Sequence, residues 1–203
     1  KGPSILCLYA LKYLKDSGAA LKYPVRALLG ANEETNMHDV DYYAEHYPMP
    51  AFCFTPDAEF PVCNGEKGGF NGELVSPKFE NGIITAFEGG VAHNAVPDRA
   101  SCTVQVGVGA LVQTEGVTFE AGEGGATVIR GWGKSGPAAM PEGTVNAISL
   151  IVNCLLKSGV CTPQEEAYLN VLHTLHADTD GSALGIAADD GLFDPLTIIG
   201  GTI

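Results

Sequence analysis

Two short apolar runs, each ending in an acidic loop, constrain the first third of this chain more than any other feature. Residues 25–29 (VRALL) close on Gly30 and lead into Ala31-Asn32-Glu33-Glu34-Thr35-Asn36. Residues 51–55 (AFCFT) lead into Pro56-Asp57-Ala58-Glu59. Between them, residues 38–46 read as a helix. A buried strand, a helix and a second buried strand with short connections predict a βαβ unit and a parallel sheet. In such sheets function collects just beyond the C-terminal strand ends, where both acidic loops fall. An opening helix is predicted over 3–16. Pro3 suits its first turn, Ile5, Leu8, Tyr9 and Leu11 form an apolar face, and Gly18 follows as a stop.

After Asn64-Gly65-Glu66-Lys67-Gly68 the pattern changes. The 26 glycines and 12 prolines of the 203 residues make turns frequent and limit helix. Strands are predicted over 83–88, 100–106 and 126–130, separated by Gly-rich turns. Two helices follow, over 144–157 and 163–173, the second with Thr162 as cap and Pro163 in its first turn. A polar, Gly-rich stretch covers 178–194, and 196–199 reads as a last strand. The expected fold class is therefore α/β in residues 1–66 and α+β in residues 67–203, with a domain boundary near Lys67.

Eleven basic against 24 acidic residues leave a formal charge of −13. Such a field repels phosphate backbones and anionic membranes, so nucleic acid is excluded as an expected partner, and so is a membrane surface. No apolar run approaches the roughly 20 residues that span a bilayer. None of the six cysteines forms a C-x-x-C pair. Cys7, Cys53, Cys102 and Cys154 lie in apolar runs and read as buried reduced thiols, which favours the cytoplasm.

The acidic loops carry the chemical signal. Adjacent carboxylates repel, and a divalent metal would relieve the repulsion between Glu33 and Glu34. One Glu could bind the metal while the other takes a proton from metal-bound water. Asp57 could be a second carboxylate ligand, brought beside Glu34 by adjacent parallel strands. Hard carboxylate ligands suit zinc, manganese or cobalt. The alternatives are a solvated acidic loop and an ordinary turn Asp beside Pro56.

The residues Val25-Arg26-x-Leu28-x-Gly30-x-Asn32-Glu33-Glu34-Thr35 open a longer motif string. Phe54-Thr55-Pro56-Asp57-Ala58-Glu59-Phe60-Pro61 and Asn64-Gly65-Glu66-Lys67-Gly68 continue it. Gly89-Gly90, Asn94-x-Val96-Pro97-Asp98, Gly133-Lys134-Ser135, Pro141-Glu142, Asn146-Ala147, Leu184-Gly185-Ile186-Ala187 and Pro195-Leu196-Thr197 extend it over nearly the whole chain. The string resembles the Xaa-His dipeptidase (carnosinase-type) branch of the aminoacylase/carboxypeptidase/dipeptidase zinc metallopeptidases. The resemblance implies that residues 1–66 are part of a parallel-sheet catalytic domain and residues 67–203 part of its lid. It implies a two-metal zinc site that hydrolyses a dipeptide substrate. Glu33 would be the general base, Glu34 and Asp57 metal ligands, and Asn94 a substrate-contacting residue of the lid. A homodimer formed through the lid, as in some relatives, is a further expectation.

The same resemblance implies departures. The family's bridging aspartate would fall just before Lys1, and its last histidine ligand in a later segment. The 203-residue piece alone is therefore expected to be inactive, and a slice of about 66 residues to be marginal without a partner. The family's lid histidine follows Gly-Lys-Ser-Ala, whereas here Gly133-Lys134-Ser135-Gly136 is followed by Pro137. Proline donates no hydrogen bond, and a missing oxyanion donor typically costs about a hundred- to a thousandfold in rate. His93 could compensate. The rival expectation is a catalytically impaired peptide-binding or dimerisation module of the same fold.

Overall fold

The computed structural model describes residues 2–33, 36–57 and 61–203. The chain divides into two compact units, Lys1–Glu66 and Lys67–Ile203.

In the first unit, helix α1 spans Gly2–Asp16 and helix α2 spans His38–His46. Both stand where the helix signals place them. Neither buries a residue fully, and Ile5, Leu8 and Tyr9 on the apolar face of α1 are exposed. The expected strands do not form. Residues 25–29 and 51–55 carry no ladder pairing and lie exposed, Leu29 at 64% and Phe52 at 82%. The physical reason is that a parallel strand needs a hydrogen-bonded neighbour and cover on its faces. The two runs do not pair with each other, and α2 shields neither.

The second unit is built on a four-stranded sheet. Its strands are β1 (Ile84–Gly89), β2 (Arg99–Val104), β3 (Val117–Ala121) and β4 (Thr127–Trp132). The spatial order is β1-β2-β4-β3, and every pairing is antiparallel. The sheet seen among the described residues is therefore antiparallel, and the fold is mixed α and β. Strand β3 is one the turn signals did not single out, because Val117-Thr118-Phe119-Glu120-Ala121 alternates only weakly.

Helices α3 (Ala147–Ser158) and α4 (Pro163–Leu175) supply the rest of the core. Alternation along β2 buries Ala100, Cys102 and Val104, and α3 meets them with Ile148, Ile151, Val152 and Leu155. Each Leu, Ile or Val so buried contributes about 1.5–3 kcal/mol. The helix approaches the sheet closely at Gly131, where a Cβ would overlap the Ala147 carbonyl. Helix α3 starts later than its periodicity suggests. Asn146 caps it, accepting from the Ile148 N–H at 2.9 Å, while Val145 is held outside by a two-way bond with Lys134.

Helix α4 has the expected Thr162 cap and Pro163, completed by a capping box with Glu165. The Glu165 carboxylate also accepts the Ile84 N–H at 2.8 Å, so it ties α4 to the start of β1. Residues 196–199, expected as a strand, form no ladder. Leu196 and Ile198 each donate one bond, to Ala188 and Thr179. The six cysteines are free: Cys102 and Cys154 are buried as expected, Cys7 is half-buried, and Cys53 is exposed with its unpaired run.

Candidate functional site

The acidic loop of the first unit is anchored on the first turn of α2. Asp39 Oδ2 accepts the N–H of Ala31 at 2.7 Å and of Asn32 at 3.1 Å, while Oδ1 accepts the Val40 N–H at 3.0 Å. The Ala31 bond is foremost in holding the Asp39 carboxyl below its ordinary value. Asn32 returns the tie: its Oδ1 accepts from His38 N–H at 2.9 Å, and its carbonyl accepts from Met37 N–H at 2.9 Å. Met37 is the N-cap residue in the left-handed region and offers no side-chain cap, so Asn32 does the capping.

Glu33 is exposed on this clamped loop. Glu34 lies outside the described residues. Asp57 follows the extended run 51–55 in the same unit and is exposed. Carboxylate oxygens suit a divalent cation in kind. Among the described residues, however, no three His, Cys, Asp or Glu side chains gather as a metal site.

In the second unit, Asn94 lies exposed in the turn between β1 and β2. This turn is stitched to the segment that carries Pro137. The Asn94 carbonyl accepts the Ala138 N–H at 3.0 Å, Val96 N–H donates to Gly136 at 2.9 Å, and Ala95 bridges to Pro137. The Ser135 hydroxyl adds a bond to the Val96 carbonyl at 2.8 Å. Two motifs 40 residues apart therefore form one surface. His93 is exposed on it.

A cavity of about 430 Å³ also opens in this unit, with Asn146, His176, Asp178 and Ser149 in its wall. Burial pushes the His176 ring down to about 4, with its neighbour His173 adding to the effect. The ring is neutral at pH 7, and Asn146 Nδ2 stands 3.3 Å from its Nδ1. No local motif in the sequence marks this histidine as buried. It caps α4 and packs against Gly200. Asp39 and Glu165 were also missed. An acid in the first turn of α2 and a T-x-x-E string were their visible signals.

No protein-family model matches this chain. Its curated relatives carry dipeptidase names. The chain aligns over its whole length, at 30% identity, with the "Putative dipeptidase YtjP" of Bacillus subtilis (strain 168). It is 38% identical over 110 residues, 51% of the chain, to the Beta-Ala-Xaa dipeptidase of Lactobacillus delbrueckii subsp. lactis. It spans about half of the Bacillus protein, 47%, and the second alignment covers 23% of the Lactobacillus enzyme. The resemblance to dipeptidases carried by the motif string is thereby borne out.

Proposed function

We propose that this chain is part of a two-metal, zinc-dependent dipeptidase, with residues 1–66 drawn from the catalytic domain and residues 67–203 from the lid. The observation that carries the reading is the end-to-end alignment with a dipeptidase-named relative twice its length. The exposed apolar residues of the first unit, Leu29 and Phe52 among them, support it, because a catalytic domain would cover them. The substrate is a short peptide, and Asn94 contacts it from the lid. Glu34 and Asp57 would hold metal. Zinc, or manganese or cobalt in its place, would polarise the scissile carbonyl and acidify water when bound. Glu33 takes the proton of the attacking water on its carboxylate and passes it to the leaving amine.

The whole protein is expected to hydrolyse dipeptides, to lose activity to a chelator and to regain it with zinc. Glu33→Gln should lower turnover by at least a thousandfold. Turnover unchanged by Glu33→Gln refutes the reading. The isolated 203-residue chain should turn over no dipeptide, and tight two-site zinc binding by it in calorimetry would contradict this. The six free thiols suit a reducing compartment, and the cytoplasm is the assignment.

Pro137 favours a second reading, a catalytically impaired peptide-binding or dimerisation module. The bridge from Ala95 to Pro137 puts a residue without an N–H on the surface that carries Asn94. Peptide binding without hydrolysis by the whole protein would establish it, and ultracentrifugation would test the homodimer.

A further inference from the structure

The acidic loop could have been a loose solvated turn, and it is not. One carboxylate oxygen of Asp39 collects two successive backbone N–H groups from residues seven and eight positions earlier, and the other collects the Val40 N–H of its own helix. An aspartate that merely favoured the helix N-terminus would need only the last of these bonds. The loop is closed from its far side as well, where Asn32 accepts from Met37 and His38. Asn36 and Met37 turn through the left-handed region to make that return, with φ of 76° and 55°. Glu33 therefore leaves a backbone held at both ends.

Gly30 fits the same construction. A Cβ there would stand 2.8 Å from Asp39 Oδ2, so any larger residue would push the carboxylate away from the loop N–H groups it holds. Glycine, loop and aspartate act as one clamp.

We infer that Asp39 is a positioning residue for Glu33, fixing the Ala31–Asn32 backbone just before it on the first turn of α2 and so setting where the Glu33 carboxylate is presented. This rests on the reading of Glu33 as general base. A proton acceptor must sit within hydrogen-bond reach of the water it deprotonates. A misplacement of about 1 Å costs on the order of a hundredfold in rate. Asp39 touches no substrate in this scheme; it acts through the backbone that carries Glu33.

The test uses the whole protein with four variants, Asp39→Ala, Asp39→Asn, Gly30→Ala and Glu33→Gln. Dipeptide turnover is read alongside amide hydrogen exchange of the peptide containing Ala31 and Asn32. Asp39→Ala should lower kcat about 10- to 100-fold with KM within about threefold, and should speed exchange at Ala31 and Asn32. Asp39→Asn keeps one acceptor oxygen for the two loop N–H groups and should restore kcat to within about threefold of the parent. Gly30→Ala, which displaces an intact carboxylate, should reproduce the Asp39→Ala loss. It carries the test if Asp39→Ala does not fold. Turnover within twofold of the parent in Asp39→Ala, with Glu33→Gln inactive, overturns the positioning role alone. Unchanged exchange at Ala31 and Asn32 does the same. An active Glu33→Gln overturns the general-base reading beneath it.

Discussion

Replacing Glu165 by alanine should destabilise the second unit by about 3 kcal/mol. The carboxylate is 2% exposed. It accepts three bonds: from Ile84 N–H at 2.8 Å, Thr162 N–H at 2.9 Å and the Thr162 hydroxyl at 2.8 Å. Burial opposes its ionisation, yet these bonds outweigh burial and hold the carboxyl below its ordinary value. Alanine removes half of a capping box, at roughly 1 kcal/mol. It also leaves the Ile84 N–H without its acceptor at a part-buried site, at roughly 1–3 kcal/mol. Glu165→Gln keeps the shape but turns an NH₂ toward one of the donors, and should cost about half as much. The assay is urea unfolding followed by the fluorescence of Trp132, the one tryptophan in the chain, at the end of β4. With a slope of about 2 kcal/mol per molar, the alanine midpoint should fall by more than about 1 M. Because the folded carboxyl is depressed, its contribution is present above pH 4.5 and fades as pH falls through the folded value. The alanine and parent curves should therefore converge in acid. A midpoint within about 0.3 M of the parent at pH 7 refutes the reasoning, since an exposed carboxylate would do no more.

Three further outcomes follow from the same structure. His176 titrates near 6.5 when unfolded and about 4 when folded. Stability should be lost as pH falls from 6.5 to 4, by up to about 3 kcal/mol, and His176→Leu should flatten that part of a pH–stability profile. Gly131→Ala should cost about 1–3 kcal/mol in urea unfolding, because its Cβ would meet the rigid Ala147 carbonyl rather than a side-chain end. A thiol reagent at pH 8 should label exposed Cys53 and Cys63 first. Cys102, whose thiol burial pushes far up, should react at the rate of unfolding, and mass spectrometry of the labelled peptides checks the order.

Helix ends were the most legible part of the fold, because their signals are local. Thr162-Pro163 opens α4, the polar loop before His38 opens α2, and Asp16 closes α1 two residues before Gly18. Three strands of the second unit could be read from their alternation and their glycines. The two in the first unit were misread because an apolar run of five residues encodes burial without naming what buries it. Of the candidate site, Glu33, Glu34, Asp57 and Asn94 were named as candidates from motif order alone. Asp39 was not, since nothing local says that a helical aspartate will reach back to Ala31.

By itself, then, the sequence determined the helices, the change of character near Lys67 and the kinship with dipeptidases. These rest on short-range rules and on residue order. Only the tertiary structure decided the antiparallel order β1-β2-β4-β3 and the stitching of the Asn94 turn to Pro137. It alone placed Glu165 between α4 and β1 and closed the Asp39 clamp under Glu33. Each of these is a bond between groups that the local rules treat separately. Such bonds form because a buried or clustered backbone N–H must find an acceptor, wherever in the chain that acceptor lies.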